Sequence, residues 1–522
     1  GSTSGAKAIP MIEPSRLFTK MNTITVKSII DTSKSYQYVD DGNPKRGGVK
    51  DVYFSPDRRY VVAFFREPLD FNQKERIKRI VSLYLENIKK GNAPDYFLNE
   101  IFRWPYDAVE KDGKTGVIVP IYDRKFFFAK GRIADDGLKG EEKKGKWFTT
   151  PSFRDPQYPL CLDPSELGDW LSYFQIAINI CRGIKKMHQM GLAHSDLSYN
   201  NILIDPVTKS ANIIDLDGLV VPGMFPPEVI GTADFIAPEV LSTKHLDIKD
   251  PKRALPNQKT DLHALAVLIY MYLLRRHPLK GSKVWDLDAE KDELLAMGEK
   301  ALFIEHPTDA TNRVKPDQLR KWDAFWGDPA KLPYTVTGPY LTELFNRAFI
   351  DGLHNPMLRP IANEWETALL KTVDLIQPCS NPSCTQKWYV FDNTARPKCP
   401  FCGTPHRGSL PIADLYYNAG NNVWKPENHR LMIYHNQYLF KWHVSRKLIR
   451  NENLTNDDKK PVGYFTFYQN RWVLVNQSLP DMKDVTENKP IPIGTMVELT
   501  NEKKIKLSND EGGRLLYITL VN

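Results

Sequence analysis

Four of the six cysteines fall into two pairs, Cys379-x₄-Cys384 and, after a fourteen-residue gap, Cys399-x₂-Cys402. Thiolates at this spacing form two knuckles that close on one tetrahedral ion, the pattern of a Cys₄ zinc site. Protein fills all four positions, so the zinc reads as structural; a catalytic zinc keeps one position open. The segment around it has little core and is expected to need the metal to fold. A disulfide pair is the alternative. The loop between the knuckles, Trp388-Tyr389-Val390-Phe391, is apolar, which favours structure or protein docking over nucleic acid.

A second concentration of chemistry-bearing residues is Leu192-Ala193-His194-Ser195-Asp196-Leu197-Ser198-Tyr199-Asn200-Asn201-Ile202-Leu203-Ile204. It resembles the catalytic loop of protein kinases, H-R-D-L-x-x-x-N, with His194, Asp196, Leu197 and Asn201 at the matching positions. Fourteen residues after Asn201, Ile213-Ile214-Asp215-Leu216-Asp217-Gly218 resembles the D-F-G segment. Gly231-Thr232-Ala233-Asp234-Phe235-Ile236-Ala237-Pro238-Glu239 resembles the close of an activation segment. Asp261 opens an apolar helix where kinases carry an aspartate that braces the catalytic loop. Arg359-Pro360 matches the arginine that pairs with the Ala-Pro-Glu glutamate. The resemblance implies an α+β, bilobal protein-kinase fold and phosphoryl transfer from ATP. Asp196 would orient the acceptor hydroxyl and take its proton, while Asn201 and Asp215 would hold Mg²⁺ or Mn²⁺. A carboxylate and a carboxamide suit such a hard, oxygen-seeking ion.

The pattern also departs from the family. Val62-Ala63-Phe64-Phe65 resembles the V-A-I-K strand, with Phe65 in the lysine's place. Arg46-Gly47-Gly48-Val49-Lys50-Asp51-Val52-Tyr53 resembles the glycine-rich loop, with Lys50 replacing its third glycine. Together these resemble the with-no-lysine kinases, which implies that Lys50 contacts the α/β phosphates. A solvated strand lysine is the alternative. Arg66 is the weaker candidate, since strand alternation puts it opposite Ala63 and Phe65. Gly47 and Gly48 would cover the nucleotide, with Val52 and Ala63 above the base and Leu203 below it. The hinge falls at Val119-Pro120-Ile121-Tyr122; Pro120 has no N–H, so the Tyr122 N–H would be the donor. Glu86 stands at the usual distance for the partner of Lys50, with a surface ion pair as its other reading. Ser195 replaces the arginine that meets a phosphorylated activation loop, and Leu219 to Ile230 holds no Ser, Thr or Tyr. Phosphorylation there is therefore not the expected switch. Ser198 replaces a lysine near the γ-phosphate, and Asp217 replaces the D-F-G glycine. Gly231-Thr232 favours Ser/Thr acceptors. With several cations missing, the competing expectation is a pseudokinase scaffold that binds nucleotide weakly or not at all.

The elements that must position these residues follow from pattern. Residues 24–65 alternate like strands. Asn72 to Lys90 carries Ile77, Ile80, Val81, Tyr84 and Ile88 at helical spacing. Phe102 to Tyr122 reads as two strands around a turn at Asp112-Gly113. The glycine- and lysine-rich stretch 130–147 reads as an insertion or mobile loop. Leu167 to Met190, Lys259 to Arg276 and Glu364 to Leu375 read as helices. Strands are expected at Leu431 to Tyr434, Tyr464 to Tyr468, Trp472 to Asn476, Met496 to Leu499 and Leu515 to Leu520. The expected layout is a tail, 1–20, in part an expression scar; kinase N-lobe, 21–125; C-lobe, 126–376; zinc ribbon, 377–408; linker, 409–425; and an all-β sandwich, 426–522.

The last of these is faintly similar to forkhead-associated domains, with Ser445 and Arg446 as phosphate candidates, but no Gly-Arg pair precedes His443-Val444-Ser445-Arg446. The whole arrangement resembles bacterial kinase-like proteins encoded beside tellurite-resistance and stress-response genes. That implies protein substrates, with a von Willebrand-type protein and a phosphatase as partners. Apolar content of 41%, charged content of 26% and a net charge of +8 over 522 residues describe an ordinary globular surface. Nucleic acid is not an expected partner. No stretch approaches the roughly 20 apolar residues that span a bilayer. Cys161 and Cys181 add no disulfide framework, so a reducing, cytoplasmic setting is expected.

Overall fold

The computed structural model describes residues 22–522; the expected tail, 1–20, lies outside them. The first lobe is built on the antiparallel sheet β3-β4-β5-β7-β6, formed by Lys45–Arg46, Lys50–Phe54, Tyr60–Phe65, Lys114–Pro120 and Asp107–Lys111 respectively. The turn joining β6 to β7 puts Asp112 at φ 51° and Gly113 at φ 77°, the two left-handed residues that a tight hairpin of this hand requires. A separate hairpin, β1 (Thr23–Lys27) with β2 (Ser35–Val39), covers the outer face. Alternation along β5 sorts its side chains: Val62 and Phe64 pack outward with Val26 and Tyr38, while Ala63 and Phe65 pack with Ile77 and Val81. The helical stripe forms α1 (Phe71–Arg79), a π turn at Ile80–Tyr84, and α2 (Leu85–Lys90).

The second lobe is helical. α3 (Trp170–Gln189) starts at a capping box on Asp169. α4 (Gln258–Leu274) is buried continuously from Thr260 to Leu274, and a helix that is apolar all round belongs in the centre of a core. α5 (Ala362–Val373) packs on α3. Between the two helices α3 and α4, the hairpin β8 (Ile202–Asp205) and β9 (Ser210–Ile213) flanks the cleft. The stretch 130–147 is not a loose insertion. Leu138 joins the main core and Trp147 packs against it, and Lys143 is buried in an ion pair with Asp205 at 3.0 Å. Its polarity misled because its charges are matched inside the protein.

β10 (Ile376–Pro378) and β11 (Trp388–Val390) carry the cysteine knuckles. This unit packs on the start of α3. Phe401 lies 4.9 Å from Trp170 and 5.1 Å from Trp326, ring centre to ring centre. Trp388 donates to Asp169 at 3.3 Å, and Gln386 accepts from Arg275 at 2.9 Å. The stretch 409–425 is not a linker, since it contains β12 (Leu410–Asn418). That strand lies in a six-stranded sheet between Trp424–Met432 on one side and Arg514–Val521 on the other. A second, four-stranded sheet is built on Gly463–Tyr468 and Arg471–Asn476. Leu415, Leu431, Phe465, Leu474 and Leu516 fill one core between the sheets. This β unit grips the C-lobe at Asp374, which meets His429 at 2.5 Å and His443 at 3.4 Å. Among the described residues no helix is long and apolar enough to cross a membrane.

Candidate active site

A cleft of about 520 Å³ lies between the lobes. Its roof follows from strand register. Lys50 stands opposite Phe65 and Val52 opposite Ala63, so period two brings Lys50, Val52, Ala63 and Phe65 to the same face of the cleft. The turn at Gly47-Gly48 is closed by the Gly47 N–H donating to the Lys50 carbonyl at 2.9 Å. Arg66 points away from the cleft. It donates to the carbonyls of Gly47 at 3.0 Å, Gly48, and Lys50 at 3.1 Å, and ties the roof from outside. Lys50 Nζ donates to Asp217 at 2.8 Å and lies 3.7 Å from Asp215.

The floor is braced by one buried carboxylate. Asp261 accepts from the backbone N–H groups of His194 at 2.8 Å and Ser195 at 3.0 Å, and contacts His188 Nε2 at 2.9 Å. The brace holds Ser195 at φ 72°. Asp215 is also left-handed, at φ 62°; such strain concentrates where surrounding structure enforces it. The Asp196 N–H donates to His194 Nδ1 at 3.2 Å, leaving His194 Nε2–H to donate to the Ile214 carbonyl at 2.9 Å. Thr232 donates to Asp196 Oδ1 at 2.7 Å, and Asn201 Nδ2 donates to the Asp196 carbonyl at 2.7 Å and to Oδ2 at 3.2 Å. Arg359 closes the activation segment with a two-pronged pair to Glu239, both contacts at 2.8 Å.

Electrostatics link roof to floor. Burial opposes the charge on Lys50, yet Asp217 and Asp215 outweigh it and raise its pKa above the ordinary lysine value. Burial likewise opposes the Asp217 charge, and Lys50 outweighs it, so that carboxyl titrates below its usual range. Asp215 is pushed up, by enclosure in the cleft first and then by the neighbouring Asp217 charge.

Asp196, Asn201, Asp215, Lys50, Gly47, Gly48, Val52, Ala63, Val119 and Tyr122 all line this cleft. Among the described residues the Tyr122 N–H meets no protein acceptor. Two expected residues do not belong to it. Glu86 is exposed and pairs with Lys89 at 3.5 Å, because Leu85 and Ile88 occupy the buried face of the helix beyond the π turn. The helix offers Gln73 and Ile77 to the cleft instead. Leu203 is fully buried beneath Phe126, Ile214 and Tyr122. The chain at Lys144 bridges to it, and Ile214 and Phe127 take the expected lining position. Sequence reasoning missed Asp217 as the partner of Lys50; its only local signal was a carboxylate where a glycine is usual.

The four cysteine sulfurs lie within 4.8 Å of one another. Cys379 and Cys402 are 3.5 Å apart, and Cys384 and Cys399 are 3.9 Å apart. A tetrahedron with zinc–sulfur bonds of about 2.3 Å has edges of about 3.8 Å, so the thiols fit zinc.

Two lobes around a cleft, with an aspartate-braced loop on its floor and a segment clamped by Arg359, make up a protein-kinase fold. Residues 172–320 match the family model described as protein kinase domain. The chain is 27% identical over 173 residues to the dual serine/threonine and tyrosine protein kinase of Apis mellifera, covering 31% of this chain and 16% of that protein. It is 28% identical over 175 residues to serine/threonine-protein kinase ppk21 of Schizosaccharomyces pombe, covering 29% of this chain and 30% of that one. The match therefore spans less than a third of either relative's length. The crystal structure of a Toxoplasma gondii specific rhoptry antigen kinase domain aligns with a TM-score of 0.38 at 14% identity, over 67% of this chain and 86% of that chain.

Proposed function

We propose that the chain is an ATP- and Mg²⁺- or Mn²⁺-dependent protein kinase that phosphorylates Ser/Thr hydroxyls of protein substrates. The observation that carries this reading is the convergence of Asp196, Asn201, Asp215 and Lys50 on one open cleft. Asp196, steered by Thr232 and Asn201, orients the acceptor hydroxyl and accepts its proton. Lys50 offsets phosphate charge, and the free Tyr122 N–H receives the base. Asn201 and Asp215 offer oxygens of the kind a hard cation takes. When bound, that cation neutralises charge developing on the transferring phosphoryl group. The positioning of Asp196 by Thr232 and Asn201 supports an enzyme over a pseudokinase scaffold that binds nucleotide weakly or not at all.

Activation without phosphorylation of the segment fits the lack of acceptors from Leu219 to Ile230 and the serine at 195. The sulfur spacing supports a structural zinc. The order of kinase, Cys₄ unit and β unit supports kinship with the bacterial tellurite- and stress-locus kinases, with a von Willebrand-type protein and a phosphatase as partners. Arg446 is engaged by Glu427 at 2.9 Å and lies over Tyr417, which argues against it as a free phosphate cradle. The test is transfer of radiolabel from γ-labelled ATP to casein. Asp196→Ala should abolish it, and equal signal from wild type and variant would refute the reading.

A further inference from the structure

We infer that Asp217 is the positioning carboxylate for Lys50, doing from the activation segment what a helix carboxylate would otherwise do. This deepens the kinase reading and rests on it. The roof cation and its anion are 167 residues apart in sequence yet 2.8 Å apart in space. Both are largely enclosed, with side-chain exposure of 17% for Lys50 and 8% for Asp217. A buried ammonium needs a counter-charge, and α1 supplies none. Its cleft-facing residues are Gln73 and Ile77, and Glu86 of α2 faces solvent.

The helix instead contributes a cation. Arg76 is buried, donates to the Pro226 carbonyl, lies 3.4 Å from Glu228, and covers the ring of Phe225 at 5.7 Å. The usual signs are thus exchanged. The acid has moved from the helix to the residue two beyond Asp215, and the helix docks on the activation segment through a base. Because Asp217 and Asp215 lie on one short segment, the group that aims Lys50 and the group that faces the metal position move together. Helix position then ceases to be the element that makes or breaks the lysine pair.

A double-mutant cycle on the full chain tests this. Lys50→Met, which removes the cation, and Asp217→Asn, which leaves it misplaced, should each lower kcat/KM for labelled-phosphate transfer by about 100-fold. The double variant should be no slower than Lys50→Met, because residues acting as a unit are not additive. Glu86→Ala should match wild type. Asp217→Gly, which restores the residue usual at this position, provides a second variant in case the asparagine perturbs folding, and should be slow for the same reason. Multiplied losses in the double variant, a fast Asp217→Gly, or a slow Glu86→Ala would each overturn the inference while Asp196→Ala still abolished transfer. If Asp196→Ala left transfer intact, the kinase reading itself would fall.

Discussion

Replacing Asp261 by alanine removes a carboxylate that is 1% exposed and that holds two backbone N–H groups of the catalytic loop. Each buried N–H left without an acceptor costs about 1–3 kcal/mol. Releasing Ser195 from its left-handed conformation returns about 1 kcal/mol. The net loss is then about 1–5 kcal/mol, centred near 3 kcal/mol, against a typical domain stability of roughly 10 kcal/mol. Asp261→Asn keeps one acceptor oxygen and should lose about half as much. The loop that relaxes carries Asp196, so phosphoryl transfer should fall by about 100-fold in the alanine variant. Urea melts of the full chain, followed by tryptophan fluorescence, measure the first effect through the midpoint at unchanged slope. Labelled-ATP transfer under native conditions measures the second. An alanine variant with a wild-type midpoint and a rate within twofold of wild type would show that the brace holds nothing, and the reasoning from buried donors would fail.

Metal analysis should find one zinc ion per chain, and Cys399→Ser or a strong chelator should lower the unfolding midpoint by on the order of 5 °C; a zinc-free protein with an unchanged midpoint would contradict this. Contacts with His429 and His443 outweigh burial and hold the Asp374 carboxyl well below its ordinary range. Its stabilising contribution is therefore complete above the unfolded carboxylate value of about 4 and is lost as pH falls toward the depressed folded value. Asp374→Asn should weaken the hold of the β unit on the C-lobe and reduce the pH dependence of stability in acid. Stability measured by urea melts between pH 7 and pH 3 would count against the assignment if wild type and variant lost it in parallel.

That the proposed catalytic residues meet in one cleft was legible because their spacing is local. Asp196 and Asn201 share one loop, and Asp215 follows a short hairpin, so sequence distance constrains their separation in space. Lys50 was proposed from the resemblance to the with-no-lysine kinases, and the register of its strand against Phe65 puts it on the cleft face, while alternation correctly set Arg66 on the other side. Glu86 was misjudged because a π turn at Ile80–Tyr84 leaves the buried face beyond it to Leu85 and Ile88. Leu203 failed because the chain near Lys144 bridges across it, and nothing in the periodicity of β8 announces that crossing. Asp217 was visible only as an anomaly; its pairing spans 167 residues, a distance at which charge patterns carry no register. β12 was mistaken for a connector because Pro411 and Asp414 interrupt the alternation that marks a strand.

The aromatic seam between the cysteine unit and the start of α3 has a practical corollary. Trimming the polypeptide after α5 would strip Phe401 from Trp170 and Trp326, and would deprive Arg275 of Gln386. An oily scar would then face water at the very helix that leads into the catalytic loop, inviting aggregation. The autonomous folding unit accordingly extends past the catalytic lobes to at least the second knuckle, and expression boundaries drawn by kinase homology alone would cut through it.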